Sequence, residues 1–361
     1  MNPTSSLRAA GQSLWLDNIT RDLLTSDTLA RYINELSVTG LTSNPTIYDK
    51  AIEGTDAYDA EIRAGLGSGA AAEDVFFELA LDDLRRAADA FRPVFARSRG
   101  VDGWVSLEVS PLLAHDTGAT VREATALHGR ADRPNLLIKI PGTAAGLAAI
   151  EATIHAGIPV NVTLLFTEAH YRAAAEAYMR AIERRIDDGL DPAVASVASV
   201  FVSRWDSAVA GKVPEVLETT LGLAMGRRIY AAYRRLLASD RWQRLENEGA
   251  RPQRLLFAST GTKDAHASDT LYIGGLAAPH TVNTMPEGTL LAFADHGTVG
   301  ELLPADGGEA EQDLAAFAAA GVDIDDVGRR LQEDGAAAFV RSWERLLACI
   351  AAKPMSTAVA R

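Results

Sequence analysis

The chain has 361 residues, 47% hydrophobic and 23% charged, the balance of a folded globular protein, which excludes disorder as its main state. A net charge of −13, with no basic run carrying interleaved aromatics, argues against general nucleic-acid binding, so any anionic ligand must meet a local cluster of positive charge. One cysteine, Cys349, excludes an intramolecular disulfide, and seven histidines with none paired at i, i+4 supply no metal motif. No apolar stretch approaches the roughly eighteen residues of a membrane span, and the N-terminus lacks a basic-then-apolar leader, so a cytoplasmic protein is expected.

Short apolar runs recur along the chain, each ending in polar or Gly/Pro residues. In order they predict strands near Ser13–Ile19, Val38–Ser43, Trp104–Val109, Leu136–Ile140, Val160–Leu165, Val197–Val202, Leu255–Ser259 and Thr281–Asn283. Alanine-rich stretches with helical period lie between them, such as Glu73–Arg92, Ala144–Ala156 and Glu168–Asp187. Eight strands separated by helices predict an α/β protein, a parallel sheet closed into a (β/α)8 TIM barrel. A doubly wound open sheet is the alternative, but no Gly-X-Gly-X-X-Gly turn follows any strand. One barrel domain is expected over 1–361, with a helical insertion at about 208–252 that holds a helix centred on Leu221–Leu237. A C-terminal helical extension at about 305–352 is expected to lay Ala336–Ala351 over the barrel, and residues 353–361 to fray.

Lys139 carries the sharpest chemical signal. It sits in the strand-like run Leu-Leu-Ile-Lys-Ile-Pro-Gly-Thr (136–143), in a chain with five lysines against thirty arginines. A buried ammonium is costly and is relieved by losing its proton, and a neutral amine in an apolar pocket is what Schiff-base chemistry on a carbonyl requires. The plain alternative is an edge-strand lysine whose head reaches water. In a barrel, polar residues at the carboxyl ends of strands converge on one face. Those ends carry Asp17-Asn18, Thr42-Ser43-Asn44-Pro45-Thr46, Glu108, Lys139, Asn161-Val-Thr163, Ser203-Arg204 and Ser259-Thr-Gly-Thr-Lys263. Singly each has a dull explanation: Asp17 as a helix cap, Asn44-Pro45 as a turn, Glu108 paired to an arginine, Asn161 satisfying backbone. Together they offer an amine nucleophile, two carboxylates to move protons, and hydroxyls and amides for sugar oxygens.

Leu-Thr-Ser-Asn-Pro-Thr-Ile (41–47) and Ile-Lys-Ile-Pro-Gly-Thr (138–143) resemble the two signature segments of transaldolases. The likeness extends through Trp-Leu-Asp-Asn-Ile (15–19), Ser-Leu-Glu-Val-Ser-Pro (106–111), Asn-Val-Thr-Leu-Leu-Phe (161–166), Phe-Val-Ser-Arg (201–204), Ala-Ser-Thr-Gly-Thr-Lys (258–263) and Thr-Val-Asn-Thr-Met-Pro (281–286). It covers residues 13–300 in order and is closest to the longer bacterial form of the family.

The resemblance implies a metal-free, cofactor-free class I aldolase mechanism of the pentose phosphate pathway. A dihydroxyacetone unit moves from sedoheptulose 7-phosphate to glyceraldehyde 3-phosphate, giving erythrose 4-phosphate and fructose 6-phosphate. By position in the matching motifs, Lys139 is the imine-forming lysine, Asp17 the main acid/base, and Glu108 a second carboxylate acting through a water. Thr42, Asn44, Asn161 and Thr163 match the residues around the bound sugar, with Ser199 a further match in the sixth motif. Arg204 and Ser259 match the phosphate site. Where shorter transaldolases place an arginine soon after that serine, this chain has Thr260-Gly-Thr-Lys263, which makes Lys263 the candidate replacement. A fructose 6-phosphate aldolase is the nearest rival, but those relatives are much shorter and lack the Glu108 carboxylate. Deoxyribose-phosphate and pyruvate-type aldolases do not share the Thr-Ser-Asn-Pro-Thr segment. A degenerate sugar-phosphate-binding barrel would be expected to lack one of Lys139, Asp17 and Glu108, and all three are present. The expected partners are sugar phosphates, with neither nucleic acid nor membrane, and self-association into a homo-oligomer is left open.

Overall fold

A computed structural model describes residues 2–353. Eight parallel strands close in chain order: β1 (Ser13–Leu16), β2 (Val38–Thr42), β3 (Trp104–Glu108), β4 (Leu136–Pro141), β5 (Val160–Leu165), β6 (Ser196–Phe201), β7 (Arg254–Ala258) and β8 (Val282–Met285), which pairs back onto β1. The architecture is the (β/α)8 barrel, and every predicted strand is present with its ends shifted by at most three residues. The largest shift is in β1, which stops at Leu16 although the Asp17 amide still bonds to the Met285 carbonyl at 2.8 Å. Nearly all strand residues are buried, because helices cover the outer face and side chains fill the inside.

The inward positions change character along the barrel axis. At the N-terminal end Ser13 Oγ donates to Asp102 at 2.8 Å, and Arg254 donates to Asp102 at 3.1 Å and to Ser13 at 2.7 Å, a polar plug. Above it the buried indole of Trp15 fills the interior against Gly40. A Cβ at Gly40 would stand 2.6 Å from that ring, so only glycine lets the two strands share the layer. Towards the C-terminal end the inward residues turn hydrophilic. Asn161 donates to Ser106 Oγ at 3.1 Å and accepts from Ser199 Oγ at 2.6 Å, tying β3, β5 and β6 together inside the barrel.

The turns after β2 to β5 are pinned by side-chain caps. Asn44, Asp116, Thr143 and Thr167 each accept from the backbone N–H three residues on, which fixes where the chain turns from strand end or connecting loop into helix. In the 208–252 stretch, Leu221–Leu237 packs on β7 and on the helix Glu168–Asp187, and Asp240–Asn247 follows it. The C-terminal extension holds Ala310–Ala319 and then a 29-residue helix, Ile324–Ala352. That helix begins at Ile324, well before the expected Ala336. Asp323 caps it, and Arg329 bridges Asp326 and Glu333 along its exposed face. Of the tail expected to fray, 354–361 lies outside the described residues, while Lys353 bonds to Asp59 at 2.7 Å. Among the described residues no helix is long and apolar enough to cross a membrane.

One buried ion pair links the helices behind β1 and β2. Arg21 Nε meets Asp83 at 2.6 Å, and Asp83 accepts a second bond from Tyr58 at 2.9 Å; Glu61 grips the other edge of the guanidinium at 2.8 and 3.0 Å. Asp83 is fully buried and Glu61 is half-exposed, so Asp83 is the partner that water cannot replace. Asp83→Ala should lower unfolding free energy by about 3–5 kcal/mol in urea titration, and a loss below about 1 kcal/mol would show that Glu61 alone suffices.

Candidate active site

The carboxyl ends of the strands surround a cavity of about 250 Å³, closed on one side by Phe339 of the C-terminal helix. A larger hollow, about 530 Å³, opens at the opposite end of the barrel. No lysine lines that hollow, and its Asp102 is already held by Arg254 and Ser13. Eight of the eleven residues expected from the sequence line the smaller cavity: Asp17, Thr42, Asn44, Lys139, Ser199, Arg204, Ser259 and Lys263. Glu108, Asn161 and Thr163 do not line it; they are buried beside it, Glu108 and Asn161 in register with Lys139 and Thr163 in register with Pro141.

Lys139 is 4% exposed, so it is no edge lysine reaching for water. Its Nζ lies 3.2 Å from Glu108 Oε2, in contact but poorly angled for a hydrogen bond, and donates to the Ser43 carbonyl at 3.1 Å. The β3–β4 register sets this pair, since Glu108 and Lys139 are direct neighbours across the ladder. Burial pushes the Glu108 carboxyl above its ordinary range, with the Lys139 charge pulling the other way. Asp17 shows the same balance: burial raises it, and Lys139, a hydrogen bond from Thr42, Lys263 and Arg204 oppose the rise. Thr42 Oγ1 lies 2.7 Å from both Asp17 Oδ1 and Thr284 Oγ1, which makes it the orienting partner of Asp17. One buried carboxylate, Glu108, and one partly exposed carboxylate, Asp17, both drawn towards the protonated form, flank one buried amine, the equipment for moving protons on and off a carbonyl adduct.

The remaining polar groups divide between structure and availability. Asn44 uses Oδ1 to cap its helix, while its Nδ2 has no partner among the described residues. Thr163 Oγ1, buried beside the cavity, has no partner among the described residues. Ser259 shares a 2.9 Å bond with Ser203 and takes a positive φ of 55°, and Leu164, beside an irregularity in the β5–β6 pairing, takes 59°. Such backbone in non-glycine residues clusters where a strand end is re-aimed at a site.

Arg204 makes no hydrogen bond or ion pair among the described residues, although it is only partly exposed. Burial pulls its guanidinium down from the ordinary value, and the charges of Glu108 and Asp17 pull it back up. Lys263 lines the same cavity, as does Lys50, which the sequence reading did not single out. Neither lysine has an ion-pair partner among the described residues, whereas Lys212 and Lys353 are bonded elsewhere. The scarcity of lysine in this chain was the available signal for Lys50. Thr284 was also missed although its motif was in view, and Phe339 had no local signal at all. Lys50, Lys139, Arg204 and Lys263 form the patch of positive charge that a chain of net charge −13 needs to hold an anion.

The family model described as transaldolase/fructose-6-phosphate aldolase matches residues 14–350. The chain is 47% identical to a transaldolase of Frankia alni, over 97% of each chain. It is 45% identical to a transaldolase of Saccharopolyspora erythraea, over 96% of this chain and 97% of that one. A transaldolase of Thermobifida fusca is 46% identical over 96% of both.

The Thr42 bond favours the ionised form of Asp17, so its loss must raise the Asp17 pKa further. Thr42→Val should therefore move the acidic limb of the pH–rate profile to higher pH. A limb that stays put or moves down would show that Thr42 does not tune Asp17.

Proposed function

The chain belongs to the transaldolase/fructose-6-phosphate aldolase family, and on that footing we propose that it is a transaldolase whose Schiff base forms on Lys139. The observation that carries this assignment is Lys139 itself, a buried lysine within β4, 3.2 Å from Glu108 and lining the same cavity as Asp17. The enzyme transfers a dihydroxyacetone unit from sedoheptulose 7-phosphate to glyceraldehyde 3-phosphate.

Each step uses a group already in place. Glu108 takes a proton from Lys139, and the freed amine adds to the C2 carbonyl of the ketose. Protonated Glu108, directly or through a water, then assists loss of the C2 oxygen as water and leaves an iminium. Asp17 removes the C4 hydroxyl proton, the C3–C4 bond breaks, and its electron pair passes into the iminium to give an enamine. Erythrose 4-phosphate departs. Glyceraldehyde 3-phosphate enters, C3 of the enamine attacks its carbonyl, and Asp17 returns the proton to the new hydroxyl. Hydrolysis with Glu108 as base releases fructose 6-phosphate. The raised affinity of both carboxyls for protons, caused by their removal from water, supports these shuttle roles.

Asn44 Nδ2 would meet a sugar hydroxyl in the cavity it lines, while Thr163 and Asn161, buried beside that cavity, would support the site from behind, Asn161 through its bonds to Ser106 and Ser199. Arg204, without an acidic partner among the described residues, takes the terminal phosphate with Ser259 and Lys263, its planar fork suited to a dianion. Such an enzyme works in the cytoplasm on soluble sugar phosphates and needs no metal to activate the carbonyl, because the iminium serves as electron sink.

Borohydride reduction with fructose 6-phosphate, followed by peptide mass spectrometry, should place a stable adduct on the peptide bearing Lys139 and nowhere else. Asp17→Ala should keep that adduct while turnover falls by about 10²–10⁴-fold. An adduct on another lysine, or none on folded protein, would overturn the assignment.

A further inference from the structure

We infer that the C-terminal helix is a working wall of the substrate site, in which Phe339 and Gly335 hold the Arg204 guanidinium where it meets a sugar phosphate. This rests on the phosphate role proposed for Arg204.

Arg204 is held in an unusual way. Among the described residues no carboxylate pairs with it; it lies against two aromatic rings, its guanidinium carbon 4.8 Å from the Phe201 ring and 6.0 Å from the Phe339 ring. Cation–π contact fixes the position of a guanidinium without consuming its N–H donors, whereas a carboxylate partner would occupy the fork and compete with an incoming anion. The Phe339 ring is 4% exposed and also lies 5.7 Å from Lys139 Nζ. A single side chain therefore spans from the amine that binds C2 of the ketose to the arginine that binds its far end.

Gly335 explains how the guanidinium fits beneath a helix. Glycine in a helix interior is unfavourable relative to alanine, yet here it is buried, one turn before Phe339. A Cβ at Gly335 would lie 3.1 Å from Arg204 Nη1 and 3.0 Å from Leu164 Cδ2. Seven residues earlier, Gly328 gives the same face close contact with Thr167 and Trp205. The helix is also fastened at fixed points. Gln332 donates to the carbonyls of Gly142 and Leu164 at 3.2 and 2.9 Å, Ser342 shares a 2.9 Å bond with Thr46, and Arg345 meets Asp49 at 3.1 Å. Thr46 and Asp49 follow β2, Gly142 follows β4 and Leu164 lies near the end of β5, so the wall is registered to the segments that carry Asn44, Lys139 and Thr163.

The test compares KM for fructose 6-phosphate with the competitive inhibition constant of inorganic phosphate in the full-length enzyme. Phe339→Leu keeps apolar bulk but removes the ring face, and Gly335→Ala favours the helix while crowding Nη1. Both constants should weaken in parallel by about three- to tenfold in each variant, with kcat changing much less. Phe339→Tyr, which retains the ring, should restore both. Unchanged phosphate inhibition in both Phe339→Leu and Gly335→Ala would overturn the inference. Arg204→Ala separates the two levels. If it abolishes phosphate inhibition while the helix variants leave it intact, only the wall is wrong; if it too changes nothing, the phosphate role of Arg204 fails first.

Discussion

A lysine and a glutamate held 3.2 Å apart, both shut away from water, set the terms for the rest of this barrel. Taking two charges out of water is expensive, and their attraction repays the cost only with good geometry and further polar partners. The pair therefore needs a rigid frame, supplied by the β3–β4 register and the Ser43 carbonyl. Burial raises the affinity of Glu108 for a proton, and the Lys139 charge beside it pulls the other way.

Stability and chemistry occupy different ends of the same cylinder. Near the N-terminal end the Ser13–Asp102–Arg254 plug and the Trp15 indole against Gly40 fill the barrel with groups that satisfy one another. In the C-terminal half the Thr163 hydroxyl and the fork of Arg204 have no hydrogen-bond partner among the described residues. A folded chain tolerates such unspent groups where a ligand will use them. The separation follows from parallel strands, whose carboxyl ends all open on one face.

The sequence was most informative where chemistry sits on strands. A lysine inside an apolar run, and polar residues closing successive runs, located Asp17, Glu108 and Lys139 because strand periodicity and barrel closure leave those positions nowhere else to point. It was less informative at helix boundaries. The stretch 324–335 is rich in charge and carries Gly328 and Gly335, which depress local helix propensity, so the C-terminal helix looked shorter than it is. Those glycines are present for tertiary reasons, to bring the helix onto Trp205 and Arg204.

By itself the sequence determined the fold class and the family likeness, since these depend on residue type and on spacing along the strands. Only the tertiary structure decided which groups are already engaged and which stand free. Thr42 proved to be the partner of Asp17, Asn44 splits its amide between a helix cap and the cavity, and Lys50 joined the positive patch. Phe339, more than a hundred residues beyond Lys139 and Arg204, reaches both. No local pattern encodes that contact, because it depends on where a long helix crosses the mouth of a closed barrel, and that crossing is fixed by packing and hydrogen bonds between segments far apart in the chain.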